Sequence, residues 1–330
     1  MFRWCSASRP EALPTHHVAR QLLAAAGFLF FFLTAAADTL PLQRIADDVY
    51  LIPGVVADAA PANRGRVVNT GFIVGREAVI VIDSGANHGQ GEAILATVAS
   101  VTDKPVALLI NTHPHPQNVL GNSAFAARGI PILATAATIA AMRTRCPDCL
   151  RSLERSVGAE AMAATRIQLP DLVAGSELRE VAGRRLTLLH AGHGHTEGDL
   201  ALFDAASGVL FAGDLVYREQ VPHLSESDTA GWLASLQPLR DLPIRTLVPG
   251  RGPVGAAADL APIGRYLSQL RQRVGAAYRD GRSADEAIAL ADLPEFSSWQ
   301  GYADRHGRNV QHVYFEIERD DLNGRGKARQ

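Results

Sequence analysis

The chain has few cysteines, almost no net charge and no long apolar run, and each shortage excludes something. Three cysteines in 330 residues, with Cys146 and Cys149 the only close pair, leave no second pair from which to build a zinc knuckle. A formal net charge of -2, with no basic run of useful length, gives no electrostatic footing for nucleic acid. The partner expected is a small molecule or another protein. The apolar run Leu22–Leu33 holds 12 residues, too few to cross a bilayer core of about 30 Å. No internal repeat interrupts the chain. What is present is ordinary globular composition, 47% hydrophobic and 20% charged, in a chain long enough to bury a large core.

Arg20 precedes that apolar run, and Thr34-Ala35-Ala36-Ala37-Asp38 follows it. A positive flank, a short apolar stretch and an A-x-A site predict a secretory signal over 1–37, cut after Ala37. An uncleaved anchor is the alternative. Cleavage leaves no stable membrane insertion and a periplasmic or secreted protein. Removing the segment removes Cys5 and leaves Cys146-Pro-Asp-Cys149. In an oxidising compartment that pair predicts a local disulfide. In a reducing cytosol it would suggest a redox motif, but no strand-then-helix context surrounds it. Residues 38–320 read as one domain and 321–330 as a disordered tail.

From Leu40 onward, strand-like and helix-like segments alternate, which predicts an α/β layered fold. Phe72–Val74 and Val79–Ile82 flank Gly75-Arg76-Glu77 as a hairpin. Ile94, Leu95, Val98 and Val101 have helical spacing, as do Ile263, Tyr266, Leu267, Leu270, Val274 and Tyr278. Ser283 with Glu286 predicts a capping box. Polar clusters follow apolar strands: Asn111-Thr112-His113 after Val106–Ile110, and Pro249-Gly250-Arg251 after Thr246–Val248. The carboxyl ends of strands are where α/β folds place ligands.

His113-Pro114-His115 can aim two imidazoles at one ion from a turn leaving a buried strand. Gly192-His193-Gly194-His195-Thr196-Glu197-Gly198-Asp199 offers a third, and Gly213-Asp214 a carboxylate. Three neutral imidazoles with one open position make a sufficient catalytic zinc site. His190, His193 and His223 are candidate substitute ligands, with a structural or solvated role the preferred reading of each.

The order Asp83, His113-Pro-His115, Gly192-x-x-His195-Thr-x-Gly-Asp199, Gly213-Asp214 and Pro249-Gly-Arg-Gly-Pro253 resembles the metallo-β-lactamase superfamily. Within it the chain is similar to periplasmic glyoxalase-II-like hydrolases associated with sulfur oxidation and with quinoprotein (PQQ-dependent) dehydrogenases. The Cys146–Cys149 element and the segment Arg308-Asn309-Val310 to Tyr314 support that subgroup. The resemblance implies a four-layer αββα sandwich with metal at the top edge of two sheets. It matches His113, His115 and His195 to the first metal and Asp214 to the bridging carboxylate. Gln117, Asn118 and Arg251 stand where second-metal ligands belong. A carboxamide is a poor zinc ligand and a guanidinium is none, so one zinc ion is expected. Arg251 would pair with Asp214 through a forked hydrogen bond, grip a substrate carboxylate, or face solvent. Asp83 and Asp199 would orient ligands or simply form turns.

The function implied is a zinc-dependent hydrolase of an ester, thioester or similar carbonyl substrate, with Asp214 as base or ligand and Gln117 orienting water. Two other readings stand beside it: a zinc-binding accessory protein of a periplasmic quinoprotein dehydrogenase, and a β-lactamase.

Overall fold

The computed structural model describes residues 39–327. The expected signal segment and its cleavage point lie outside the described residues. Seven strands lie side by side in chain order: β1 (Gln43–Ala46), β2 (Val49–Ile52), β3 (Thr70–Val74), β4 (Val79–Ile82), β5 (Val106–Ile110), β6 (Ile132–Thr135) and β7 (Leu172–Ala174). A second sheet holds β8 (Glu177–Val181), β9 (Arg184–Leu189), β10 (Ala201–Asp204), β11 (Val209–Phe211) and β12 (Thr246–Val248), in the order β12-β11-β10-β9-β8. The helices of the first half are α1 (His88–Ala99), α2 (Pro116–Val119), α3 (Asn122–Ala126) and α4 (Ala136–Val157). Those of the second are α5 (Thr229–Ser235), α6 (Gln237–Arg240), α7 (Leu260–Arg279), α8 (Ala284–Leu290) and α9 (Tyr302–Lys327).

Side chains alternate between the two faces of a strand, and that alternation sorts the core into layers. Ile80 and Ile82 of β4 meet Leu202 of β10 and Phe211 of β11 between the sheets. Val79 and Val81, one residue out of phase, pack on the other face with Ile94 and Val98 of α1. Likewise Phe203 and Leu210 turn away from the first sheet, into a core shared with Ile263, Leu267 and Leu270 of α7. Helix, sheet, sheet, helix is the αββα sandwich expected. The hairpin is antiparallel β3–β4, and Ser283 and Glu286 close the capping box at α8.

Cys146 and Cys149 lie three positions apart on α4 as free thiols. One expectation is corrected: the chain stays helical past Asp320, because α9 runs to Lys327.

Candidate metal centre

The chemistry gathers where strands end. Asp83 follows β4, Thr112 and His113 follow β5, Asp214 follows β11, and Arg251 follows β12. The loop from β9 to β10 carries His195, and its last residue joins the sheets, Leu200 N–H donating to Thr112 C=O at 2.7 Å. Prolines shape the first cluster. His113 and His115 each precede a proline, which holds the preceding residue extended, and His115 sits at φ -65°, ψ 142° before Pro116 opens α2.

One donor atom from each of His113, His115, His195 and Asp214 lies within 4.8 Å of the others. His195 Nε2 and His115 Nδ1 stand 3.1 Å apart. Asp214 Oδ2 is 3.7 Å from His113 Nε2 and 3.6 Å from His195 Nε2. Ligands of a tetrahedral zinc with Zn–N of about 2.0–2.1 Å stand roughly 3.3 Å apart, so the cluster has the right size. His113 Nε2, which faces Asp214 Oδ2 across the cluster, is buried with no hydrogen-bond partner among the described residues. Orphaned buried acceptors are unfavourable alone, and a cation beside them removes the penalty. The residues fit a metal ion.

The surroundings prepare the imidazoles. Thr112 Oγ1 donates to Asp83 Oδ2 at 2.8 Å and lies 2.9 Å from His113 Nδ1. With Asp83 ionised, the hydroxyl accepts from Nδ1–H, and Nε2 is left as a bare acceptor toward the cluster. Burial pushes His113 down to about 3 and drives His195 well below its usual value, so both are neutral ligands at neutral pH. Asp83 is raised by burial to about 7, opposed by hydrogen bonds from Thr112 and Asn118. It sits at φ 59°, a left-handed conformation that aspartate tolerates better than most residues. Asp199 is likewise raised by burial to about 7, and fastens the His195 loop by accepting from Thr196 N–H at 2.9 Å and Thr196 Oγ1 at 2.7 Å.

The other expected residues divide. Asn118 is fully buried and turns beneath the cluster, its Nδ2 donating to Asp83 Oδ2 at 2.8 Å. It props Asp83, while its Oδ1 is buried without a hydrogen-bond partner among the described residues. Gln117 lines a cleft of about 360 Å³ together with His115, His223, Glu226 and Arg251. Arg251 does pair with Asp214, though through Nε alone, at 3.2 Å from Oδ2, and not as a fork. Tyr217 OH donates to the same oxygen at 2.7 Å. Burial pushes the Asp214 carboxyl up, but Arg251 and the imidazoles outweigh it and hold it well below the usual range. His190 and His193 are structural, bonded to the carbonyls of Asp199 and Glu226.

Sequence reasoning missed Tyr217, Thr112 and Glu226. Glu226 Oε2 is 3.7 Å from His115 Nε2 and 2.6 Å from Arg145 Nη1 of α4. It belongs to an irregular segment between β11 and α5, where no periodicity could flag it. Thr112 carried a signal, adjacent to His113 at the end of a buried strand.

The sequence pattern of the Metallo-beta-lactamase superfamily matches residues 63–251, and the chain belongs to that superfamily. Its members are typically metal-dependent hydrolases. A linear primary-alkylsulfatase from Pseudomonas sp. (strain ATCC 19151) is 21% identical over 281 residues, covering 73% of this chain and 53% of that protein. This chain therefore spans about half the length of that curated relative. Among solved structures, a metallo-beta-lactamase from Pontibacter korlensis aligns with a TM-score of 0.56 at 22% identity, over 70% of this chain and 99% of that one. A metallo-beta-lactamase from Hirschia baltica aligns at 0.55 and 17%, over 70% and 98%. These likenesses are of fold.

Proposed function

We propose that this chain is an exported single-zinc hydrolase of an ester, thioester or similar carbonyl substrate, serving a quinoprotein-linked pathway. One observation carries the single-metal reading: Arg251 Nε bonds Asp214 Oδ2, the carboxylate oxygen that also faces His113 and His195. A fixed cation there repels a second ion, and Gln117 and Asn118 offer no replacement carboxylate or imidazole.

His113, His115 and His195 would hold the zinc, with Asp214 as the nearby anion. Zinc on three imidazoles acts as a Lewis acid toward a carbonyl and lowers the pKa of water to about 7. The chain's own residues do the rest. Asp214, held anionic by Arg251 and bonded by Tyr217, is a charge partner and a poor proton acceptor. Glu226 is also held below its usual value, by His115 and Arg145. Unlike the buried Asp214 it lines the cleft, so it is the carboxylate placed to meet a reactant's proton. Gln117 can orient a polar group but cannot take its proton. The alkylsulfatase likeness adds sulfate esters to the substrates worth assaying.

The test is zinc content of the purified mature chain, measured with His115→Ala and with a Gln117→Asp/Asn118→His/Arg251→His triple variant, followed by assays on 4-nitrophenyl esters, thioesters and sulfates. The expected result is one zinc per chain, lost in the first variant and rising toward two in the second. Glu226→Gln should lower turnover about 10²–10⁴-fold. Absence of zinc after reconstitution would sink the hydrolase reading. Zinc without turnover would favour the accessory-protein reading.

A further inference from the structure

We infer that Arg251 has two duties: its Nε holds Asp214, and its Nη edge binds an anionic group, a carboxylate or sulfate, on the substrate. This deepens the hydrolase reading by naming the substrate class of the same site.

Arg251 is 5% exposed and yet lines the cleft. Its place is fixed from behind. A Cβ at Gly250 would lie 2.0 Å from Asp214 Oδ1, so only glycine lets this turn pass so close to the carboxylate. Asn69 Nδ2 secures the turn by donating to the Pro249 and Gly252 carbonyls, both at 2.8 Å. A guanidinium carries five N–H donors. Nε is engaged by Asp214, and the Tyr217 ring lies beside the group, its centroid 5.8 Å from Cζ, which leaves N–H donors to spare at the cleft. N–H donors of a cation at the edge of a cleft form strong charge-assisted bonds with an oxyanion. The planar fork matches the two oxygens of a carboxylate or sulfate.

The cleft's other charges do not oppose this. Glu226 is paired with Arg145 at 2.6 Å, and Asp58 with Arg305 at 2.7 Å. Asp214 is shared between Arg251 and Tyr217. His223 lines the same cleft, makes no hydrogen bond among the described residues, and offers one ring N–H as a second donor. Because Arg251 bonds the carboxylate that touches the imidazole cluster, the anionic group must sit close to the bond being cleaved. A small acid ester fits; a long apolar chain with a distant charge does not.

The test is calorimetric titration of the metal-loaded full chain with benzoate and phenyl sulfate, using benzamide as the neutral control. Both anions should bind at least about tenfold tighter than the amide. Arg251→Lys keeps a cation beside Asp214 but loses the fork. It should weaken both anions about tenfold while metal content and benzamide binding hold. His223→Ala should weaken them by a smaller factor. Anion affinity unchanged in both variants would overturn the inference and place the anion on the metal. If Arg251→Lys loses metal, His223→Ala decides alone, and unchanged affinity there is again fatal. The hydrolase reading fails separately, as anion binding without turnover of any ester.

Discussion

Asp83 accepts two hydrogen bonds from Thr112, one from its backbone N–H and one from its hydroxyl, both at 2.8 Å. The same hydroxyl faces His113 Nδ1, so one threonine sets both the carboxylate and the tautomer of a ligand. Outer partners of this kind typically contribute 10–100-fold to metal affinity. Thr112→Val is therefore expected to weaken zinc about 10–100-fold in a chelator competition, and Thr112→Ser to restore most of it. A valine variant that binds zinc like the parent would show that His113 needs no such support.

His223 gives the chain an acid limit. Burial first, then Arg305 and Arg251, pushes its imidazole down to about 3. An unfolded chain protonates the same ring near 6.5. Between those values the unfolded state binds more protons at this ring, so the His223 contribution to stability falls as pH drops below about 6.5, by up to roughly 1.4 kcal/mol per pH unit. His223→Asn should flatten that dependence in denaturant titrations from pH 7 to pH 5. An unchanged slope would mean that the ring is protonated in the folded state.

The layers and the imidazole cluster were legible because they rest on local rules. Val79 to Ile82 reads as a strand, and period-two alternation alone sends Ile80 and Val81 to opposite cores. His113 and His115 were legible because two prolines fix their turn. The partners of those residues were not. Nothing near Asn118 in the sequence says that its carboxamide turns down to Asp83, because the contact spans 35 positions and depends on how β4 and α2 meet. Glu226 was illegible for the same reason, as its neighbour Arg145 comes from a helix 81 residues earlier.

The thiols of Cys146 and Cys149 differ in environment. Cys146 is buried beside Val119 and Met142, and burial raises its thiol to about 12. Cys149 is partly exposed in the cleft, also raised by burial. Reactivity follows thiolate content and access. Iodoacetamide at neutral pH should label Cys149 slowly, and Cys146 only after unfolding. Peptide mapping of the alkylated protein distinguishes the two. A peptide lighter by two hydrogen atoms, unalkylated at both positions until a reductant is added, would restore the disulfide.

The last helix lies beyond the 63–251 match and still shapes the cleft. Arg305, Asn309, His312 and Glu316 recur at helical spacing along one face of α9. Arg305 Nη1 donates to Val221 C=O at 2.9 Å, and Asn309 Nδ2 to Pro222 C=O at 2.9 Å. His312 Nε2 lies 3.2 Å from Ser227 C=O, and Glu316 accepts from Thr229 Oγ1 at 2.7 Å. The segment laced down in this way carries both His223 and Glu226. Removing one buried partner strands a carbonyl at about 1–3 kcal/mol. Asn309→Ala should therefore raise hydrogen exchange of the amides around 221–229, while the content of the metal proposed at His113, His115 and His195 stays the same. Exchange confined to α9 itself, with the cleft segment as protected as in the parent, would mean that the segment holds its shape without the helix.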